Sequence, residues 1–168
     1  MTPTTALSSQ LLDTPIGPLT IVATETAVRA ILWPSDPTGR VRLTDVAPAV
    51  AEHPVLVETG RQLEQYFAGE REEFDLPLDP AGTEFQRSAW TALRSITYGT
   101  TISYGEQAAR MGDRRKARAV GAANGRNPIS IVVPCHRVVG STGALTGFAG
   151  GLGVKSWLLD HELRTITR

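Results

Sequence analysis

The sequence predicts an α+β protein in two parts, a small antiparallel sheet packed on one helix followed by a mostly helical portion that contains a helix-turn-helix. Three observations carry that reading. Strand-length apolar runs broken by turn residues fill the first third of the chain. From Thr83 onward, helix start and stop signals recur at short intervals. Between these regions the charge reverses: residues 1 to 81 carry 5 Arg against 12 Asp and Glu, a net of −7, and residues 82 to 168 carry 12 Lys and Arg against 5 Asp and Glu, a net of +7.

Leu11 and Leu12 precede a Thr14-Pro15-Ile16-Gly17-Pro18 turn, and Leu19 to Ala23 and Val28 to Trp33 follow as apolar runs, the pattern of a hairpin or meander. From His53 to Gly69 the residues Val55, Val57, Leu63, Tyr66 and Phe67 fall roughly at helical spacing, which predicts a helix over 54–68. A Pro- and Asp-rich piece, Leu76 to Gly82, sets a boundary near residue 80, dividing the chain into 1–80 and 81–168.

Thr83 with Gln86 is a capping box, opening a helix through Phe85, Trp90, Leu93 and Ile96 that is expected to stop near Tyr98-Gly99. Ser103 with Glu106 repeats the signal for a short helix ending by Gly112, and a third helical stretch runs from about Arg114 to Gly125, ended by Asn127-Pro128. Two short helices about a tight turn make the helix-turn-helix. Beyond lie the apolar strip Ile129 to Val133, the Pro134-Cys135-His136-Arg137 segment, a Gly-rich loop from Gly140 to Gly153, and a last helix from Val154 to about Leu163.

Composition excludes several classes. The first basic residue is Arg29 and no apolar run approaches the ~18 residues of a membrane span, which predicts a soluble, cytoplasmic protein without signal peptide or membrane helix. A single cysteine permits no internal disulfide, and His53, His136 and His161 are too scattered to suggest a metal, so no metal or cofactor is expected. The formal net charge of zero argues against a broad nucleic-acid-binding surface; only the second half suits a polyanion, although opposite charges also help two halves dock.

The stretch 114–125 reads Arg-Arg-Lys-Ala-Arg-Ala-Val-Gly-Ala-Ala-Asn-Gly. Ala117, Gly121 and Asn124 stand at i, i+4 and i+7, which predicts a smooth face that lets the backbone approach a partner closely. Basic residues in a first helical turn oppose the helix dipole, so Arg114, Arg115 and Lys116 need another reason to be there, and phosphate neutralisation is one. The bland alternative is an Ala-rich helix packed in the core.

A lone cysteine is most often a small buried hydrophobe. Here His136 and Arg137 bring a potential base and a permanent cation next to Cys135, conditions that favour thiolate. Adjacent residues of an extended segment point to opposite faces, so His136 reaches Cys135 only through a water or a sharp turn. The carboxylate expected to orient the imidazole is Glu162, with Asp160 as the fallback. A Cys-His pair also suits a cysteine hydrolase, but nothing in the sequence marks an oxyanion hole.

At Pro134-Cys135-His136-Arg137-Val138, preceded by Asn127-Pro128 and Arg118-Ala119-Val120-Gly121, the sequence resembles the O6-alkylguanine-DNA alkyltransferase family. The likeness spans about residues 83 to 163, including Tyr98-Gly99, Ser103-Tyr104, Gly150-Gly151-Leu152 and Trp157-Leu158-Leu159. It implies an RNase H-like roll for the first 80 residues and irreversible, single-turnover transfer of alkyl groups from O6 of guanine, and from O4 of thymine, in duplex DNA to Cys135. It makes His136 the general base through water, Glu162 its orienting group, and Tyr104 the proton donor to guanine N3. Arg118 would enter the base stack in place of the flipped nucleotide, with Ala117, Gly121, Ser103, Lys116, Arg114 and Arg115 along the DNA. Asn127, Ser130, Val138, Phe148 and Ala149 would form the base pocket, the backbone of Cys135, Val138 and Ala149 meeting the guanine edge. The implied partner is double-stranded DNA containing O6-alkylguanine, bound by a monomer of which several copies can line up on DNA.

Two departures stand out. Some relatives hold structural zinc on N-terminal cysteines that this chain lacks, so its first domain must be stable through packing. Ser130 and Phe148 stand where some members have proline and tyrosine, which bears on tolerance of bulky alkyl groups. The competing readings are a lesion-binding protein without transfer and a plain helix-turn-helix regulator.

Overall fold

A computed structural model describes residues 5–168. Strands β1 (Leu7–Leu12), β2 (Leu19–Ala23), β3 (Val28–Leu32) and β4 (Val46–Pro48) form one sheet in the order β3-β2-β1-β4. The hairpin turn is made locally, as Thr14 donates its hydroxyl to the Gly17 carbonyl at 2.6 Å and Gly17 adopts φ +100°. β1, β2 and β3 pair antiparallel as expected, but β4 runs parallel to β1. β4 carried no strand signal, because it is only three exposed residues long and includes Pro48, which marks a run as an edge strand or a loop.

Helix α1 (Pro54–Phe67) starts where Pro54 needs no donor and His53 accepts from the Leu56 N–H, and it stops before Gly69 at φ +75°. It lays Leu56, Leu63 and Tyr66 on the sheet, where Leu19, Ile21 and Ile31 meet them at 0% exposure. Burying each such side chain contributes about 1.5–3 kcal/mol.

The second half packs onto the same core. β3 is bonded on its outer side by residues that lie far ahead in the chain: Val28 N–H donates to the Pro77 carbonyl and Ile31 N–H to the Pro128 carbonyl. Leu93, Ile129, Ile131, Val133 and Leu158 join the cluster formed by the sheet and α1, so the apolar core runs on across residue 80.

Helix α2 (Glu84–Leu93) opens on the expected capping box, with both Thr83–Gln86 hydrogen bonds made. It ends at Leu93, earlier than expected; Ile96 and Tyr98 are buried from a run of turns that reaches Thr100. A short β5 (Ile102–Ser103) leads into α3 (Tyr104–Arg110), capped by Ser103 accepting from the Glu106 N–H. After a 3-10 turn over Arg114–Lys116 comes α4 (Ala117–Gly125). The strip Ile129–Val133 is a tight turn in which the β-branched, buried Ile131 sits at φ +74°, a strain on the order of 1–3 kcal/mol held four residues from the cysteine. Another 3-10 turn, Cys135–Arg137, leads to β6 (Val138–Val139), parallel to β5, and α5 (Leu152–Ile166) is longer at both ends than the sequence suggested.

Candidate active site

α3 and α4 form the helix-turn-helix, and a buried amide pair locks them: Asn124 Nδ2 donates to Gln107 Oε1 at 2.8 Å while Gln107 Nε2 donates to Asn124 Oδ1 at 3.1 Å. Trp90 of α2 adds Nε1–H to the Ala123 carbonyl at 2.8 Å. These contacts correct the expected smooth face. Asn124 is buried, and a Cβ on Gly121 would lie 3.5 Å from the Tyr104 ring, so the Gly121 and Asn124 part of the stripe turns toward α3. The open face of α4 is Arg118, Ala119, Ala122 and Gly125, still small and headed by an exposed arginine. Arg114, Arg115 and Lys116 are exposed at its entrance; Arg115 pairs with Asp113 at 3.0 Å and Lys116 lies over the Phe85 ring.

The β5–β6 pairing joins this unit to the cysteine segment, with Ile102 opposite Val138 and Ser103 opposite Val139. Tyr104 therefore begins α3 beside the recess that Cys135 faces. Ser130, Phe148, Ala149, Gly121 and Arg40 line the same recess. Asn127 and Val138, expected in the pocket, stand behind it. Asn127 is fully buried and works as a staple: its Nδ2 donates to the Val133 carbonyl at 2.8 Å and to Cys135 Sγ at 3.2 Å, and its Oδ1 accepts from the Ile129 N–H. Val138 is buried in β6. The recess itself measures about 20 Å³. That is room for about one water, which needs ~10–15 Å³ by this measure, so the recess as it stands is too small for a purine.

Cys135 and His136 lie in a 3-10 turn, where extended backbone was expected. Behind them sits a buried ionic cluster around Glu162, which is 0% exposed. His136 Nε2 meets Glu162 Oε2 at 2.6 Å, Arg137 Nε donates to Oε1 at 2.8 Å, and the Gly99 N–H donates to Oε1 at 3.2 Å. The exposed Asp160 takes no part. Arg137 also donates to the Ile96 carbonyl, so it serves Glu162, contrary to the expectation that it would activate the sulfur. Burial works against the Glu162 carboxylate, but hydrogen bonds from His136 and Arg137 outweigh it and hold the group well below its usual range.

Burial lowers the His136 pKa, with Glu162 opposing, so the ring is neutral at neutral pH. Because Nε2 carries the hydrogen toward Glu162, Nδ1 is the basic nitrogen, and it is buried without a partner among the described residues. Burial likewise pushes the Cys135 thiol up, against the Asn127 hydrogen bond and the positive charges of Arg40 and Lys155. The resting sulfur is a thiol beside a neutral base.

Three members of this site had no sequence signal. Arg40 reaches in from the loop after β3, chelating Asp36 with two bonds of 2.7 Å and donating to the Asn127 and Gly125 carbonyls at the end of α4. Lys155 is 1% exposed and donates to the Thr146 carbonyl at 3.0 Å, tying the Gly-rich loop to α5. Trp33 ends β3 with its ring 5.4 Å from Phe148. Each comes from a distant part of the chain. Among the described residues no group of His, Cys, Asp and Glu is placed to hold a metal, and no helix is long and apolar enough to cross a membrane.

The sequence matches two family models, "6-O-methylguanine DNA methyltransferase, ribonuclease-like domain" over residues 7–80 and "6-O-methylguanine DNA methyltransferase, DNA binding domain" over residues 84–164. A methylated-DNA--protein-cysteine methyltransferase of Methanosarcina acetivorans is 45% identical over 152 residues, 90% of this chain and 96% of that one. One of Mycobacterium tuberculosis is 48% identical over 151 residues, 90% of this chain and 89% of that one. In structure, the chain resembles Mycobacterium tuberculosis OGT crystallised in complex with DNA, at TM-score 0.85 and 44% identity over 94% of both chains. With models spanning nearly the whole sequence and relatives this similar, the chain belongs to the 6-O-methylguanine DNA methyltransferase family.

Proposed function

We propose that this protein repairs duplex DNA by moving methyl and larger alkyl groups from O6 of guanine, and from O4 of thymine, onto Cys135. The observation that carries the reading is the cysteine at the back of a recess beside the open face of α4, with the His136–Glu162 pair behind it. In this account residues 1–80 are a supporting domain and 81–168 hold the DNA and the acceptor.

An alkyl carbon on a stacked base is out of reach, so the nucleotide must leave the helix, at a cost on the order of a few kcal/mol. Arg118, exposed among alanines, fills the gap it leaves and offsets part of that cost. Arg114, Arg115, Lys116 and the Ser103 end of α3 lie along the phosphates. The Phe148–Ala149 wall closes on the base, whose edge meets the Cys135, Val138 and Ala149 backbone, and Tyr104 protonates guanine N3.

His136 Nδ1 takes the thiol proton through a water, and the imidazolium is stabilised by Glu162. Sulfur attacks the saturated carbon, the C–O bond breaks toward guanine, and the departing ring keeps the proton supplied by Tyr104. The product is a thioether that no residue here can hydrolyse, so each molecule acts once. A monomer suffices, and several copies can line up on one duplex. A single reduced thiol suits a cytoplasmic setting.

Mass measurement after incubation with a methylated oligonucleotide is the test: the protein gains ~14 Da, one CH2, on Cys135 while the lesion disappears. Cys135→Ser should abolish the gain and keep lesion binding. An unchanged mass with persisting lesion would favour lesion binding without transfer.

A further inference from the structure

A cleft of about 540 Å³ opens where the loop after β3 meets the linker into α2 and the chain leaving α4. Arg29, Arg40, Arg42 and Arg126 line it, and among the described residues no acidic side chain does. The concentration is unusual for this half of the chain: residues 1 to 81 hold only five basic residues at a net of −7, and three of the five face this one cleft.

The four arginines differ in how far they are engaged. Arg40 is committed to Asp36 and the end of α4. Arg29 pairs with Asp79 through one nitrogen at 2.9 Å, while its Nε is buried with no hydrogen bond. Arg126 reaches only the Gly39 and Arg40 carbonyls, at 3.3 and 3.4 Å, and Arg42 is exposed. A guanidinium has five donors in a planar fork that matches phosphate geometry. Arg42 and Arg126 therefore hold most of theirs in reserve.

The position is also informative. Arg126 is exposed and directly follows Gly125, the last residue of the open face Arg118-Ala119-Ala122-Gly125, and Arg40 lines both this cleft and the recess that Gly125 borders. From Arg118 to Arg126 the helix advances roughly 12 Å, comparable to the width of a DNA groove, about 6–12 Å. A duplex lying on that face presents one phosphate row to the basic entrance of α4 and the other to the cleft.

We propose that this cleft binds a backbone phosphate of the duplex, on the strand that passes the C-terminal end of α4, through Arg42 and Arg126 with Arg29 behind them. It rests on the DNA-repair reading above. The N-terminal half then touches DNA through a cationic notch while the rest of its acidic surface faces away.

Arg42→Gln and Arg126→Gln, made in the full chain at exposed positions, are titrated with duplex DNA over a range of salt. Each should weaken binding several-fold at low salt and reduce the slope of log K against log salt by about one, with reaction toward free O6-methylguanine base unchanged. Replacing single phosphates by neutral methylphosphonates should reveal one position that reproduces the loss and adds nothing to either variant. Unchanged affinity and slope in both variants overturns the proposal. So does a phosphate scan with no coupled position, or variants that lose self-association while keeping DNA affinity, which would assign the notch to the acidic half of a second copy. Wild-type protein that gains mass on methylated duplex while the slopes stay unchanged sinks the cleft alone; absence of the mass gain sinks the repair reading first.

Discussion

Tyr66, on the N-terminal helix α1, donates its hydroxyl hydrogen to Glu162 Oε2 at 2.7 Å, the same oxygen that His136 Nε2 meets at 2.6 Å. The two donors are 70 residues apart in sequence, and both are fully buried. Burial pushes the Tyr66 pKa well up, so the phenol stays a donor. Tyr66→Phe removes one hydrogen bond and nothing else. It should cost about 0.5–1.5 kcal/mol in urea denaturation. It should also free Glu162 to hold His136 more strongly, raising the imidazole pKa and moving the acid limb of the transfer rate to higher pH. A merely structural Tyr66 would lower stability and leave the pH profile in place.

Acid should destabilise the protein through this same cluster. The folded His136 pKa lies below its ordinary 6.5 and that of Glu162 below its ordinary 4.5, so in both cases the unfolded chain binds more protons. Their contribution is complete above about pH 6.5 and is lost as pH falls, first through His136 and then through Glu162. Urea midpoints measured from pH 8 to pH 4 should decline, and His136→Gln should flatten the upper part of that decline. A midpoint that rises on acidification would contradict the assignment.

Removing Arg137 leaves Glu162 without its permanent counter-charge. Arg137→Leu should destabilise by about 3–5 kcal/mol, and pairing it with Glu162→Leu should recover part of the loss, since apolar packing can replace a buried ion pair. Thermal unfolding of the two variants beside the unaltered protein gives the comparison. Both should also slow transfer, the double variant the more, because it lacks the group that orients His136.

Arg118 is exposed and no ion pair holds it among the described residues. Arg118→Ala should therefore leave the melting temperature nearly unchanged. In single-turnover kinetics it should slow repair in duplex DNA far more than reaction with free O6-methylguanine base, since only the duplex needs the gap filled. Equal slowing of both would rule out a role in extrusion.

Trp33 supports the pocket wall from the N-terminal sheet. Its ring lies against Phe148, and a Cβ at Gly150 would come within 2.9 Å of it, so the loop can pass only with glycine there. Trp33→Leu should loosen the Phe148 wall and raise transfer of benzyl relative to methyl, at a stability cost of about 1–3 kcal/mol. The ratio of the two rates on matched oligonucleotides reads this directly.

Much of the site could be read from residues close together in the chain. Pro134 to Arg137, the caps at Thr83 and Ser103, and the small residues around Arg118 act through local backbone geometry, which short-range patterns encode. Glu162 could be named because an imidazole needs an orienting carboxylate and the last helix offered two. The choice between them belongs to the fold, which buries Glu162 and leaves Asp160 exposed. Side-chain direction was less legible. Asn124 was read onto an open face and lies in a buried amide pair, and Arg137 was read as an activator of sulfur and grips Glu162. Spacing along a helix says which residues share a face, but the partner helix decides which face is covered.

The sequence by itself determined the lone cysteine and its chemical neighbours, the α+β architecture of a small sheet followed by a helical part, and the helix-turn-helix. Tertiary structure alone brought Arg40, Trp33 and Tyr66 from the first half to the recess and to the cluster around Glu162, and made one apolar core of both halves. The reason is physical. Caps, turns and amphipathic spacing act over a few residues and leave a local pattern. A buried carboxylate takes its partners from whatever packs against it, and packing partners need no proximity in sequence.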